Sequence, residues 1–128
     1  MGQYLLDTHV LLWMQDDSDN LPADIKTILS NAENDLYISI ASLWEIVIKK
    51  SLGKLLLGYS IEELVQSCTI NYIIILPIQP SFLTTLEKLS FHHRDPFDRI
   101  IAATAIDLNY QLISKDANLK KYPLSVVW

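Results

Sequence analysis

The chain reads as an α/β protein, a three-layer α/β/α sandwich with a central, mostly parallel five-stranded sheet. Two observations predict it. Short apolar runs alternate with helix-forming segments along the whole chain, the pattern that βαβ units produce. Runs such as Tyr4-Leu5-Leu6 and "YIIILP" read as buried strands, which suits a sheet covered on both faces. Half of the 128 residues are hydrophobic, enough to bury a real core, so one domain over residues 1–128 is expected.

Residues 3–7 form the first strand, and 8–15 begin a helix. "DDSDN" (16–20) is a polar loop. Leu21-Pro22 leads into a helix over 23–33, with Ile25, Ile28 and Leu29 on one face. "LYIS" (36–39) is the second strand, followed by the helix "IASLWEIVIKKSLGKL", which stops near Gly53. "SIEELVQSC" is a helix with Ser60 as N-cap and Glu63 completing a capping box. "YIIILP" (72–77) is the third strand and "PSFLTTLEKLS" a helix. "DPFDRIIAATAIDLNY" opens strongly, with Asp95 as N-cap, Pro96 at the first helical position and Asp98 at the third. "QLISKD" is the fourth strand and "LSVVW" a short last one. Right-handed crossovers follow from parallel pairing.

The composition narrows the function. Cys68 is the one cysteine, which excludes an internal disulfide and a multi-thiolate zinc site and fits a reducing cytoplasm. No basic leader followed by a long apolar stretch opens the chain, and no apolar run approaches the ~20 residues of a membrane span. A soluble cytoplasmic protein with no membrane partner is expected. The net charge of −5 argues against a general coat for nucleic acid. Its distribution is uneven. Residues 1–48 carry Lys26 as their one basic side chain, whereas Lys49, Lys50 and Lys54 cluster and the segment from Lys88 onward is richer in bases than acids. An acidic site with a basic rim suits a phosphodiester substrate; ordinary solvated helix faces would give the same counts.

In a parallel sheet, functional groups gather beyond the carboxyl ends of the strands, where strand order reverses. Asp7 ends the first strand, Glu45 lies in the second turn of the helix after the second, and Asp116 sits just past "LIS". Asp98 is in the first turn of the helix before the fourth strand. Carboxylates converging on one spot repel without a cation, and hard oxygen donors in that number suit Mg²⁺ or Mn²⁺. Each acid also has a plain structural role open to it. Asp7 could cap the next helix, Asp98 could favour the helix dipole, and Asp116 could form an Asx turn. Glu45 could close a capping box only if Ser42 were the cap; Ser39 as cap leaves it too deep.

"LLDTHVLLW", "SIASLWEIVIK", "HHRDPFDRIIAATAI" and "LISKD", in that order, resemble the successive acidic motifs of PIN-domain ribonucleases, and most of all the VapC-type toxins of toxin–antitoxin modules. The resemblance runs from Gln3 to Trp128. It implies metal-site acids at Asp7, Glu45 and Asp98, with Asp116 as the fourth, all catalytic through Mg²⁺ or Mn²⁺. It also implies strand order 3-2-1-4-5, endonucleolytic cleavage of RNA, a homodimer and a cognate antitoxin. The helices of residues 21–33 and 40–57 offer Ile, Leu and Trp for a groove in which an apolar segment of that antitoxin would sit while it covers the acidic pocket.

The remaining candidates carry weaker signals. His9, His92 and His93 are candidate ligands or acid–base groups, but Mg²⁺ prefers oxygen, and paired His before a helix cap are usually loop residues. Arg94 and Arg99 are candidates for phosphate contact or for pairing with acids. Thr8 and Ser114, beside two of the acids, are hydroxyl donors suited to orient ligating carboxylates. Trp13, Trp44 and Trp128 read as core or interface, and Cys68 as packing. Two other functions fit part of the pattern. A receiver-like phosphotransfer domain could use Lys115, but needs an acid after the third strand, where "LPIQP" has none. A non-catalytic PIN-like binding module would have a broken acid set; here it is intact.

Overall fold

The computed structural model describes residues 1–128. It contains β1 (Gln3–Leu6), α1 (Thr8–Gln15), α2 (Ala23–Ser30), β2 (Asp35–Ser39), α3 (Ile40–Ser51), α4 (Ile61–Ile70), β3 (Ile73–Leu76), α5 (Pro80–Glu87), α6 (Pro96–Leu108), β4 (Gln111–Ile113) and β5 (Val126–Val127). A 3₁₀ turn over Ala117–Lys121 joins β4 to β5. The strands lie in the order β3-β2-β1-β4-β5, and every neighbouring pair is parallel. That is the α/β architecture and strand order expected. It also removes the receiver-like alternative, whose sheet runs 2-1-3-4-5.

The paired apolar residues of each strand divide between two cores. Leu6, Ile38 and Ile113 join α1, α3 and α4 residues such as Val10, Leu11, Ile46 and Leu64 on one face. Their neighbours Leu5, Tyr37 and Leu112 join Ile101, Ala102 and Ala105 of α6 on the other. The two-residue period of a strand sends successive side chains to opposite faces, so a sheet covered on both sides needs an unbroken apolar run. Cys68 is fully buried in the first core, as packing requires.

The helix starts match their signals. Ser60 and Glu63 form a reciprocal capping box, and Asp95 accepts from the backbone N–H groups of Phe97 and Asp98. Ser39 is the N-cap of α3, accepting from Ala41, so Glu45 lies too deep in the helix to belong to a capping box. Several elements end earlier than the sequence predicts. β1 stops at Leu6 because α1 begins at Thr8, with Asp7 at the junction still bonded through its N–H to Ile113 O. α2 stops at Ser30 because Asn31 is extended, and the side chain of Asn34 donates to Ile28 O. β4 stops at Ile113, and the 3₁₀ turn that follows was not foreseen.

Candidate metal centre

The chain moves from β1 outward to β2 and β3, then returns to place β4 on the other side of β1. The strand order therefore reverses between β1 and β4, and a crevice opens beyond their carboxyl ends. Asp7 follows β1 there and Ser114 follows β4. The backbone N–H of Asp7 donates to Ile113 O at 3.0 Å, and the Ser114 hydroxyl donates to Asp7 Oδ2 at 2.6 Å. Asp7 Oδ1 accepts from Thr8 N at 2.8 Å. A capping carboxylate normally serves the N–H groups two or three residues on. Asp7 serves the adjacent one and spends its second oxygen across the sheet, so helix capping does not account for its placement. Burial raises its pKa above the usual carboxylate value, although the bonds from Ser114 and Thr8 oppose the shift.

Asp7, Asp98 and Asp116 line one cavity of about 360 Å³, together with His9, Val10, Trp13 and Lys115. Asp98 enters from the first turn of α6, and its pKa is pushed up to about 7. Burial is the main cause; the charges of Asp95, Asp7 and Glu45 add to it, and His93 opposes it. Asp116 caps the 3₁₀ turn through Asn118 N and accepts from, or donates to, no other acid; its Oδ2 lies 2.9 Å from His93 Nε2. His93, Asp98 and Asp116 each offer one ligand atom, and these atoms lie within 4.8 Å of one another.

Glu45 stands apart from this group. It is buried in α3 and does not line the cavity wall. It accepts from the Thr8 hydroxyl at 2.7 Å and pairs with Lys49 one turn on. That bond is the main reason the Lys49 pKa is raised. Thr8 thus links the two acids: its N–H serves Asp7 and its hydroxyl serves Glu45, with the Ser42 hydroxyl 2.9 Å away. Both hydroxyl donors expected beside the acids, Thr8 and Ser114, are bonded to them.

Some expected contacts are absent. Arg99 points away from the cavity; its guanidinium donates to Ser90 O at 2.9 Å, approaches Leu86 O and Leu89 O, and lies 4.0 Å over the Phe91 ring. An arginine in the second turn of a helix, behind a long loop, serves to hold that loop's free carbonyls. Trp13 packs on the core yet also lines the cavity, between His9 and Trp128 at 5.9 and 5.8 Å. An apolar groove lies between α3, α5 and α6, lined by Trp44, Leu83, Leu86 and Phe97. His93, a candidate ligand or acid–base group in the sequence, lies in the loop before α6 and beside Asp98 and Asp116 at the cavity's edge.

The donors fit a divalent cation. Three carboxylates share one cavity; burial above all holds Asp7 and Asp98 above their usual pKa range, with the charge of Asp7 adding to the shift of Asp98; and Lys115 is the one lysine or arginine at the wall. A hard cation relieves that strain.

The profile of the PIN domain matches residues 4–124. Ribonuclease VapC22 of Mycobacterium tuberculosis is 27% identical over 123 residues, covering 95% of this chain and 93% of that one. Among solved structures, VapBC2 of Rickettsia felis, bound to a DNA fragment from its promoter, matches with a TM-score of 0.71 at 17% identity, covering 98% of this chain and 97% of that one. DNA-bound VapBC of Salmonella typhimurium matches with a TM-score of 0.67 at 16% identity, over 99% and 98% of the two chains. These structural likenesses carry the fold.

Proposed function

This chain belongs to the PIN-domain family, and from that premise we propose that it is a metal-dependent endoribonuclease, the toxin of a toxin–antitoxin pair. The observation that carries the proposal is the convergence of Asp7, Asp98 and Asp116 on one cavity at the sheet's switch point. Residues 1–128 form the one domain that does this.

Asp7, Asp98 and Asp116 would hold Mg²⁺ or Mn²⁺, with Glu45 completing the charge behind them. A divalent cation held there supplies Lewis acidity toward a phosphoryl oxygen and makes water a better nucleophile near neutral pH. The chain's own groups prepare the site. Ser114 and Thr8 fix both oxygens of Asp7 before anything binds. Thr8 and Lys49 each hold one oxygen of Glu45 in place. Lys115 at the cavity wall draws the phosphate backbone to an otherwise acidic pocket. Water adds to the phosphorus of an RNA phosphodiester, and the ribose oxygen leaves with a proton.

The partners proposed are RNA, a cognate antitoxin and a second copy of the chain. A solved structure of the same fold from Klebsiella pneumoniae is a toxin–antitoxin complex, which supports the antitoxin. The exposed side of α3, with Trp44 against the edge of Phe97, supports the dimer. No helix is long and apolar enough to cross a membrane, which is compatible with the cytoplasmic site of action proposed. The test is incubation of the purified protein with a mixed RNA pool. Internal cleavage with Mn²⁺ that stops with EDTA is expected; intact RNA under both conditions would refute the reading.

A further inference from the structure

The loop between α5 and α6 makes a contact that the metal site described above leaves unused. His93 places Nε2 2.9 Å from Asp116 Oδ2 and Nδ1 3.1 Å from the Tyr122 hydroxyl. Its ring stacks on Tyr122 with centroids 5.4 Å apart and planes 18° from parallel. His92 meets the same tyrosine edge-on at 4.9 Å. Tyr122 is itself buried at the end of the 3₁₀ turn, packed into the α6 core. Three groups from a loop, a turn's cap and a turn's end are therefore tied together at the cavity's edge.

We propose that His93 is a positioning residue for Asp116, itself held by Tyr122. The proposal rests on the reading of Asp116 as a metal ligand. An ionised carboxylate can only accept, so the ring donates from Nε2. A neutral ring then has Nδ1 free to accept the Tyr122 O–H. One imidazole thus joins an anchored phenol to a half-exposed carboxylate, with the Asp116 side chain 35% exposed. Without that bond Asp116 would lose rotamer order, and a cation would have to restore it on binding. A nitrogen ligand is disfavoured by the same geometry. Nε2 faces Asp116, and Mg²⁺ and Mn²⁺ take oxygen donors first.

The test is Mn²⁺ binding by titration calorimetry on the full chain, with folding of each variant checked by circular dichroism melting. His93→Leu should weaken Mn²⁺ binding about 10–100-fold, the usual effect of removing a group that orients a ligand. His93→Gln, whose amide reaches where Nε2 was, should lose less. Tyr122→Phe keeps the ring and removes the hydroxyl, and should lose less again. Asp116→Asn should weaken binding, and adding His93→Leu to it should cost nothing more, because the histidine acts through the aspartate. Additive losses in the double variant would make His93 a ligand in its own right and overturn the proposal. Unchanged binding by His93→Leu beside weakened binding by Asp116→Asn would overturn the positioning role and leave the metal site standing. Unchanged binding by Asp116→Asn would overturn both. Should His93→Leu fail to fold, His93→Gln and Tyr122→Phe decide: wild-type affinity in both overturns the proposal.

Discussion

The floor of the cavity and its edge are built in different ways. The floor is Asp7, with Thr8, Ser114 and Glu45 behind it. Its acids are buried, and each is bonded to groups on or next to regular elements: β1, the start of α1, the end of β4 and α3. The edge is Asp98, Asp116 and His93. These are half-buried, and Asp116 and His93 sit on non-repetitive backbone tied by side-chain contacts across 23 residues of sequence. The floor is rigid because the sheet is rigid. The edge is ordered by a few side-chain hydrogen bonds and by one link to the floor, from Asp116 N to the Ser114 hydroxyl, so a cation should contribute more to the edge than to the floor.

The largest effect should come from removing charge at either place. Asp7→Asn, Glu45→Gln and Asp98→Asn should each abolish most RNA cleavage while the fold persists, with combined losses far from additive. Steady-state cleavage rates check this. Near-wild-type turnover of Glu45→Gln, which stands behind the cavity wall, would restrict the site to the three cavity acids.

Next in size is the pH response of the metal-free protein, which belongs to the edge. Asp98 has a folded pKa of about 7 against an unfolded value of 3.8. The folded state therefore keeps a proton that the unfolded state loses between those values. Stability in EDTA should fall as pH rises from about 4 to 7, and Asp98→Asn should flatten that slope. Thermal melts across that pH range check it; a slope unchanged in Asp98→Asn would contradict it.

Ser114→Ala should act on the floor and, through the backbone N–H of Asp116, on the edge. It frees one oxygen of Asp7 and removes a bond that favours its charged form, so cleavage should fall about 10-fold or more, as for other groups that orient a metal ligand. A rate equal to wild type would show that the backbone alone orients Asp7. The smallest effect should be that of Asp95→Asn. Asn caps a helix about as well as Asp, and Asp95 bonds only to the N–H groups of α6. Inactivity equal to that of Asp98→Asn, at unchanged melting temperature, would reverse the roles given to the two acids.

The same contrast explains how far the sequence could be read. The local settings of Asp7 and Glu45 are legible because strand ends and helix caps carry local signals: "YLLD" ends a strand, and Ser39 before "IASLWE" fixes the depth of Glu45. That Glu45 lies behind the cavity wall, apart from the other acids, is not legible there. Asp95 and Pro96 likewise announced the start of α6. The edge left no such trace. The pairing of His93 with Asp116 and Tyr122 depends on how a loop and a 3₁₀ turn pack together, and neither has a periodicity. For Arg99 the sequence leaves phosphate contact and pairing with acids both open, because charge alone gives no direction; the free carbonyls of residues 86–90 take it instead.

The central claim is that these acids converge in order to hold a divalent cation. Thermal melting of wild type and Asp7→Asn, each in EDTA and in excess Mn²⁺, tests it most directly. In Asp7→Asn the amide oxygen can still accept from Thr8 N and the amide NH₂ can donate to Ser114, so the local structure survives while a repelling charge is lost. The variant should melt no lower than wild type in EDTA. Mn²⁺ at a hundredfold excess over Kd should stabilise wild type by about 2.7 kcal/mol and the variant by little. A variant that melts clearly lower in EDTA, with both proteins responding equally to Mn²⁺, would make Asp7 a structural residue and contradict the account.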